Sequence, residues 1–546
     1  MRVTNKMIMN NASSNINSTK EIVNTRNKQM TSQKKIDRPS DDPVVAVRSL
    51  RLSTTLSQVT QYYSKNIPDA TSWLDVSETS LINIRTLMTD CRTLSVKGTS
   101  DTYNAEDRST MITQLEALQK QVFAEGNADY AKRTVFTGYR TNSNLVFTEN
   151  EKNTKYRINQ TLSIEDHMEE HRYYDGVNAI PTTAAEMVAP FLNPTDPAYT
   201  TINDMAQTNY YRVRLNYDLG NDTDTINKLS LKDGRGNTLA DFSFFAAGAV
   251  EDDVETVVDT TTLASGGINL IVYKNETQWS QAQLGKKTVP DDTIIAIKET
   301  GELILGKQVA ADLKNNNATI DIQYDKTGFD EGELRPEYYY NCTKRLDPLD
   351  VNVPVTYTKF DENGKQIHFD IEYTVAANQT IVINTEASDV FNSDIQRDLT
   401  EMIDAVKKTI AAHDKLDELT RMKGETQYAS EEYQNYISTW YDAIKKEADY
   451  FEDNLQKLFD TELGKIDTYY AKISLGITDL GCKKQSLDLT KKRVGDQRET
   501  VQSLQSTNDD LDLSQIIIDY TAAYTAYQAS LTAAGKLGES TLLNYL

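Results

Sequence analysis

The sequence has few residues of the kinds that redox and metal chemistry need. Its 546 residues include three cysteines, Cys91, Cys342 and Cys482, and four histidines. The cysteines lack the Cys-x-x-Cys spacing of zinc and redox sites, so we expect three free thiols. Cys91 falls on the apolar side of a predicted helix, which favours a small buried hydrophobic residue over a nucleophile.

Basic residues and long apolar runs are also scarce. The chain has 81 acidic residues against 58 basic ones, and its net charge of -23 opposes binding to the phosphates of nucleic acid. No apolar run approaches the roughly 18 residues of a membrane span, and the first residues lack the apolar core of a secretory signal. We therefore expect no nucleic-acid partner, no membrane partner and no cofactor-dependent chemistry. If the protein leaves the cell, we expect a route without a cleaved signal peptide.

Proline is confined to parts of the chain, and its distribution outlines the architecture. None of the 11 prolines follows Pro354, and none lies between Pro68 and Pro181. Because proline breaks helices, the two long proline-free stretches favour helix. Segments of strand character lie mostly between them: Tyr211–Tyr217, Ile268–Tyr273, Thr293–Ile297, Thr319–Tyr324, Gln366–Val375 and Thr380–Asn384. We therefore predict an α+β fold, with a long antiparallel helical bundle built from both chain termini and a β-rich central insert.

These patterns divide the chain into five parts. They are an N-terminal segment 1–43, the first half of the helical bundle 44–147, a β-rich outer insert 148–384 of one or two subdomains, the second half of the bundle 385–506, and a C-terminal coiled-coil helix 507–546. The first 36 residues are rich in asparagine, a mediocre helix former, and poor in apolar positions. We expect this segment to be unfolded until a partner covers it.

The last helix carries the clearest coiled-coil pattern of the chain. Its apolar residues alternate between spacings of four and three, and we call them the C-terminal seam: Leu513, Ile517, Tyr520, Tyr524, Tyr527, Leu531 and Ala534. Such a seam is exposed on an isolated helix and needs a partner helix, either from this chain or from another copy.

A polar turn precedes the first bundle helix. It reads Arg38, Pro39, Ser40, Asp41, Asp42 and Pro43. Either Ser40 or Asp42 can cap the helix while Pro43 occupies its first turn. The residues alone predict a rigid turn between two helices.

One motif resembles that of an enzyme. His167 to His171 matches the His-x-x-Glu-His pattern, in which two histidines on one helical turn bind zinc beside a glutamate base. The alternative is an acidic surface stretch next to strands, and it is favoured because no third ligand is indicated. His368, in a predicted strand, and His413, in a charged helix, are interpreted as plain strand and surface residues.

Two acidic loops could offer oxygens to calcium. They are Asp218–Asp224 and Asp325–Glu333. Neither has the full spacing of a twelve-residue calcium loop, so solvated turns are the preferred interpretation.

Several segments resemble the flagellin superfamily, and within it the hook-associated protein type 3 (FlgL) family. The resemblance covers about residues 1–147 and 385–546. It rests on the N-terminus, on Lys34 to Pro43, on Gly126 to Tyr130 with Val135 to Gly138, and on the ending Leu542, Leu543, Asn544, Tyr545 and Leu546. The long insert and the aromatic-rich helix around Glu431–Asp460 depart from the family pattern.

The resemblance implies a structural subunit of the bacterial flagellum at the hook–filament junction. Its partners would be a ring of about eleven copies of itself, the adjoining hook-associated protein, flagellin, and an export chaperone before secretion. The family is extracellular and is exported unfolded through the flagellar type III apparatus. The implied role is mechanical, so we expect no enzyme activity. The assembly residues would be those of the polar turn, the C-terminal seam and the terminal leucines.

Three alternatives remain open from the sequence. A divergent flagellin that forms the filament itself is the nearest. A surface metalloprotease would use His167 and His171 and bind zinc. A cytoplasmic coiled-coil scaffold would not need the first 36 residues.

Overall fold

The computed structural model describes residues 5–98, 105–244, 260–283, 286–345, 354–361 and 364–539. The chain forms two compact units. The terminal unit contains residues up to Ser72, the segment Glu372–Val382 and residues from Cys482 onward. The central unit contains Trp73–Ile371 and Ile383–Gly481.

Helices dominate the two ends of the chain and strands dominate the middle, so the predicted α+β fold is confirmed. The helices are α1 Asn5–Ser32, α2 Pro43–Gln61, α3 Ile67–Gly98, α4 Ala105–Gly126, α5 Ile164–His167, α6 Ala184–Val188, α7 Glu276–Ala282, α8 Lys307–Asn315, α9 Ala387–Val390, α10 Ile395–Lys423, α11 Glu431–Asp509 and α12 Leu513–Glu539. Short 3₁₀ turns cover Ala189–Phe191, Pro336–Tyr338 and Thr426–Tyr428, and a π turn covers Tyr62–Asn66.

The strands form two six-stranded sheets and two hairpins. The strands are β1 Asp129–Tyr130, β2 Arg133–Thr134, β3 Glu151–Ser163, β4 Met168–Asp175, β5 Ala206–Arg214, β6 Thr225–Lys232, β7 Thr238–Ser243, β8 Thr260–Ser265, β9 Ile268–Tyr273, β10 Thr293–Ile297, β11 Glu302–Leu305, β12 Thr319–Phe329, β13 Asn341–Arg345, β14 Val355–Tyr357, β15 Glu372–Ala376 and β16 Gln379–Val382. One sheet has the order β4-β5-β11-β10-β9-β8, and the other has the order β14-β13-β3-β12-β6-β7. The hairpins are β1-β2 and β15-β16.

The predicted strand Gln366–Val375 is wrong in its first part. Only its end is strand, from Glu372. Before that, the backbone amide of Ile367 donates to the carbonyl of Lys359 at 2.8 Å, and the amide of Ile371 donates to the side chain of Asn384 at 2.9 Å. These loop contacts satisfy the backbone, so β-propensity does not decide the conformation there.

Helices α3 and α4 of the first half are amphipathic. Their apolar stripes are buried: Leu74, Leu81, Ile84, Met88 and Cys91 in α3, and Met111, Leu115 and Val122 in α4. The predicted position of Cys91 on the apolar side of its helix is thereby confirmed. Residues 99–104 between the two helices lie outside the described residues. Gly98 ends α3 against Phe459 of α11, where an added Cβ would lie 2.6 Å from the ring. Glycine therefore permits this close approach.

The aromatic-rich part of α11 packs inside the central unit. Its core consists of Met187, Leu419, Met422, Tyr428, Ile437, Trp440 and Ile444. The indole nitrogen of Trp440 donates to the carbonyl of Met187 at 3.2 Å. Most of the aromatic enrichment that departs from the family pattern thus serves to join the α10–α11 hairpin to the segment around α6.

The two acidic segments have exposed turns, at residues 220–223 and 330–331, as the sequence predicts, but each segment also contains a buried carboxylate. Asp224 and Asp325 are buried. The Asp224 carboxylate accepts from the amides of Asn221 and Thr327 at 3.1 and 2.7 Å, and Asp325 pairs with the Arg157 guanidinium at 2.8 Å. Asp224 thus joins its loop to β12, whereas Asp325 forms a cross-strand pair between β12 and β3; both carboxylates are buried and therefore need hydrogen-bond donors.

A π turn interrupts the helical run between α2 and α3. The Ile67 amide donates to the Tyr62 carbonyl five residues earlier. The β15-β16 hairpin of the same unit contacts this turn, where the Asn66 side-chain amide donates to the Thr374 carbonyl at 2.7 Å. Wider turns of this kind are rare and usually mark a local structural demand.

The three cysteines should differ sharply in reactivity. Cys91 and Cys342 are buried and Cys482 is exposed. Burial raises the pKa of Cys91 to about 12 and raises that of Cys342 as well, so neither forms a thiolate readily. We expect a thiol reagent at neutral pH to modify one site per native chain and three after denaturation. Mass spectrometry should place the native label on Cys482, and a second rapidly labelled cysteine would contradict this burial.

Candidate assembly surface

Two interhelical connections lie side by side in the terminal unit. One follows α1 and the other separates α11 from α12. The Lys35 amide donates to the Asp509 carbonyl at 2.8 Å, and the Leu511 amide donates to the Gln33 carbonyl at 3.0 Å. The Lys34 ammonium forms an ion pair with Asp510. Backbone and side-chain contacts therefore fix the end of α1 beside the start of α12.

Helices α1 and α12, which adjoin these two connections, form an antiparallel pair. They pack against one another along their length, and the hydroxyls of Thr19 and Ser530 are 3.2 Å apart. Asp512 caps α12 by accepting from the Ser514 amide at 2.8 Å. The predicted unfolded N-terminal segment is thus helical from Asn5 in this structure of a single chain, because α12 covers one side of it.

The α1–α12 pair has almost no core of its own. Among the described side chains, no residue of α1 is buried, and Ile516 is the buried residue of α12. Two helices alone cannot remove a large apolar area from water, and helical stability in proteins comes mostly from tertiary packing. The pair therefore gains stability from any further helix that covers it.

The polar turn has the predicted capping geometry, with Asp42 in the capping role. The Asp42 carboxylate accepts from the amides of Val44 and Val45 at 2.9 and 3.1 Å, and Pro43 occupies the first turn of α2. The Asp41 carboxylate accepts from the Arg38 amide at 2.8 Å. Arg38, Pro39, Ser40 and Asp41 all lie on the surface. Hydrogen bonds within the turn and to the start of α2 fix its conformation, and its exposed side remains available to a partner.

The residues of the C-terminal seam do not all face the same partner helix. Tyr520, Tyr527 and Ala534 are half-buried, on the same face as Ser530 that meets α1. The remaining members are exposed: Leu513, Ile517, Tyr524 and Leu531. The side of α12 next to them is lined by Ile517, Ile518, Thr521, Ala522, Thr525, Ala526 and Ala529. We call these exposed seam and lining residues the open face of α12.

Exposed apolar side chains are concentrated in the terminal unit. Besides the open face, they occur on α1, on the outer side of α2 and on the end of α11: Met7, Met9, Ile22, Val44, Val47, Leu50, Leu489 and Leu504. More than half of the large exposed hydrophobic residues in the described part of the chain belong to this unit. A concentration of exposed apolar side chains, such as the open face of α12, is typical of an interface. Leu542, Leu543 and Leu546 lie outside the described residues.

The histidine motif of the central unit lacks the helical geometry of a His-x-x-Glu-His zinc site. His167 ends the short helix α5 and His171 lies in strand β4, so they do not share a helical turn. The Nδ1 atom of His167 is 3.0 Å from the Ser163 carbonyl oxygen, and that of His171 is 3.4 Å from a Glu401 oxygen. Burial, together with the nearby Arg212, lowers the pKa of His171 to about 4.

His171 instead adjoins a buried ion cluster of the central unit. Arg212 donates to Glu169 at 2.7 Å and to Glu302 and Glu401 at 2.5 Å each. Arg214 lies 2.7 Å from Glu401 and also pairs with Asp398. A cavity of about 490 Å³ beside the cluster is lined by charges of both signs, including Glu169, Arg214 and Lys465. Because these charges are largely paired with one another, we interpret the residues that line the cavity as a structural ion-pair network.

Glu462 at the edge of this cluster should make stability depend on pH. Burial and the neighbouring Asp398 raise its pKa from 4.5 to about 8. The folded protein therefore holds a proton that the unfolded chain releases, so stability should fall as the pH rises from about 4.5 to 8. We expect Glu462→Gln to flatten this part of the curve in urea unfolding at several pH values. A parallel fall in both proteins would contradict the assignment.

Comparisons with known proteins identify the N-terminal part of the chain. Residues 3–141 match the family described as "Bacterial flagellin N-terminal helical region". The resemblance to the flagellin superfamily noted in the sequence is thereby confirmed.

Two curated relatives of the chain carry the same name. The "Flagellar hook-associated protein 3" of Salmonella typhimurium is 27% identical over 142 residues, which is 26% of this chain and 44% of that protein. The protein of the same name from Escherichia coli is 29% identical over 114 residues, which is 21% of this chain and 36% of that protein. The chain thus spans less than half the length of the curated relatives it matches. These names confirm the resemblance to hook-associated protein 3.

Solved structures with similarity to the chain include flagellar proteins. A hook-associated protein 3 from Legionella pneumophila has a TM-score of 0.29 at 10% identity, covering 84% of this chain and 97% of that one. FlgL from Xanthomonas campestris has a TM-score of 0.29 at 8% identity, covering 83% and 99%. No helix in the described part of the chain combines the length and the apolar content that a membrane span needs.

Proposed function

We propose that this chain is a structural subunit of the bacterial flagellum at the hook–filament junction, where it connects a hook-associated protein to the flagellin filament. The observation that carries the proposal is the match to the flagellin N-terminal region, together with curated relatives named flagellar hook-associated protein 3. The exposed apolar faces of α1, α2 and α12 support it, because a subunit of a tubular assembly buries such faces against its neighbours.

The proposed role is mechanical. Copies of the chain form a closed ring of about eleven subunits, a number that the resemblance supplies. The open face of α12, the outer side of α2 and the polar turn 38–43 are the surfaces proposed to meet neighbouring copies, the adjoining hook-associated protein and flagellin. The terminal leucines Leu542, Leu543 and Leu546 belong to the same proposal. Such an assembly transmits torque through packed helices and requires no catalytic residue.

The proposal places the protein outside the cell, on the flagellum. Export would occur in an unfolded form through the flagellar type III apparatus, with a chaperone bound to the C-terminal helices. Three features suit this route: the α1–α12 pair has almost no core of its own, the cysteines are free thiols, and the terminal unit exposes apolar side chains that a chaperone can cover before assembly.

A gene deletion tests the junction against the nearest alternative, a divergent flagellin. Hooks should be imaged by electron microscopy and flagellin assayed in the culture medium. Bare hooks with flagellin lost into the medium support a junction protein, since filament subunits then leave the cell without a place to polymerise. Bare hooks with no flagellin in the medium would instead identify the filament subunit. Intact filaments would contradict both, and restoring the gene serves as the control.

A further inference from the structure

Three metal-ligating side chains converge in the central unit, where the chain returns from the insert to the helices. They are His368, Glu386 and Asp389, and their ligand atoms all lie within 4.8 Å of one another. The Nδ1 atom of His368 is 3.5 Å from a Glu386 oxygen and 3.8 Å from an Asp389 oxygen. Among the described residues, this is the group of three His, Cys, Asp or Glu side chains whose ligand atoms lie this close together. We propose that these residues form a binding site for a divalent transition-metal ion such as Zn²⁺.

The spacing is close to what zinc requires. Ligand atoms about 2.0–2.1 Å from a tetrahedral zinc ion lie roughly 3.3 Å from one another. The two distances from the His368 nitrogen exceed this value by only a few tenths of an ångström. The Glu386 and Asp389 oxygens lie within 4.8 Å of each other, so side-chain rotations that bring these two oxygens closer together would complete the set of three ligands.

The loop that carries His368 is anchored on both sides. Before it, the Gln366 side-chain amide donates to the Ser388 hydroxyl at 2.9 Å and to the Asp389 carboxylate at 3.0 Å. After it, the Phe369 ring packs on Tyr139, with 4.7 Å between the ring centres. A site whose ligands are already held in place loses little conformational entropy when the ion binds.

The third side of the site is shaped by the motif that ends in Gly138. This residue has a φ of +64°, and an added Cβ would lie 3.2 Å from a Glu386 oxygen. Glycine at this position thus lets the backbone pass directly beside the buried carboxylate. His368 and Asp389 remain about two-fifths exposed, so an ion can enter from solvent.

Lys359 sets the charge of the site. Its ammonium group is buried and bonded to Glu386, so it balances one of the two carboxylates. The remaining charge is about -1 when His368 is neutral, which favours a divalent cation without creating a strongly acidic cage. Lys359 competes with the ion for Glu386, so its removal should raise affinity.

The imidazole ligand selects the class of metal. Nitrogen ligands suit zinc, copper, nickel and iron, whereas calcium and magnesium prefer oxygen alone. The site therefore differs from the two acidic calcium-like loops, where the carboxylates are engaged by backbone amides and Arg157. A bound ion would tie the His368 loop to the start of α9, a structural role independent of the proposed flagellar function.

Calorimetric titration of tag-free full-length protein with zinc chloride tests the site. We expect about one zinc ion per chain, with affinity reduced at least about tenfold by His368→Gln or Asp389→Asn, since even supporting residues of metal sites contribute that much. His413→Gln is the matched control and should bind as the wild type does. Lys359→Met should bind more tightly.

Two results would overturn the site. One is no zinc binding by the wild-type protein under these conditions. The other is equal zinc binding by the wild type and the His368→Gln variant, which would assign the zinc to other groups. Calcium chloride should give no comparable heat, and equal affinity for calcium would contradict a site defined by imidazole. Circular dichroism of each variant separates loss of the ligand from loss of the fold.

Discussion

Replacing Ile517 by aspartate should keep the protein out of the flagellum while leaving the monomer folded. Ile517 belongs to the open face of α12, and 47% of its surface is exposed in the single chain. A charge at this position remains in water in the monomer and costs little. In an assembly it would be buried without a partner, which costs several kcal/mol per contact and is repeated at every copy in a ring.

The measurement combines motility in soft agar with recovery of the variant from culture medium and from purified flagella. We expect cells complemented with Ile517→Asp to swim poorly or not at all, with the chain found in the medium and absent from flagella. Val177→Asp is the matched control, because Val177 is 50% exposed but lies in the central unit. Normal motility with Ile517→Asp, or an equal defect with Val177→Asp, would contradict the assignment of this surface to assembly.

Replacing Arg212 by methionine should destabilise the central unit strongly. The guanidinium is almost fully buried and contacts Glu169, Glu302 and Glu401. Methionine keeps much of the length and apolar volume but leaves three carboxylates with fewer positive partners. Breaking a buried ion pair in this way typically costs about 3–5 kcal/mol. We expect a loss of that order in the free energy of unfolding, measured by urea denaturation at pH 7.

An exposed arginine provides the control for this prediction. Arg421 pairs with Glu418 and Glu425 on the surface of α10, and Arg421→Met should leave the urea midpoint nearly unchanged because solvent screens such pairs. A double variant, Arg212→Met with Glu302→Leu, should recover part of the loss because it removes one of the unpaired carboxylates. Equal midpoints for the Arg212 and Arg421 variants would show that the cluster contributes little.

Periodicity predicted the helices because local spacing determines which side of a helix is apolar. The stripe from Leu74 to Cys91 is buried as expected, and strands Ile268–Tyr273 and Thr293–Ile297 have the predicted bounds. Strand propensity failed at Gln366–Ile371, where contacts from Lys359 and Asn384 satisfy the backbone instead. Those contacts come from other segments and have no local signal in the sequence.

The candidate assembly surface was predictable in its residues but not in its orientation. The seam spacing identified Ile517, Tyr524 and Leu531, yet it could not show that α1 would occupy the adjacent side through Tyr520 and Tyr527. Coiled-coil periodicity predicts that a helix has a partner, but it does not determine on which side of the helix each partner packs.

The sites in the central unit depend on long-range contacts. His368 is interpreted from the sequence as a plain strand residue, but it lies in a loop before β15, and Glu386 and Asp389 are some twenty positions further along the chain. The partners of Arg212 come from three other elements. Glu386 at the N-cap of α9 and Asp389 within α9 are three positions apart, and this spacing is a local sequence signal for part of the proposed metal site.

The π turn at Tyr62–Asn66 has a consequence for how related sequences are aligned. A π turn holds one residue more than the α-helical turn it replaces, which in a sequence alignment is equivalent to a one-residue insertion. The positions of an apolar repeat counted along α2 are therefore shifted by one residue when the repeat is continued into α3. Relatives that lack the insertion should need a one-residue gap here, at the point where the β15-β16 hairpin touches the helix.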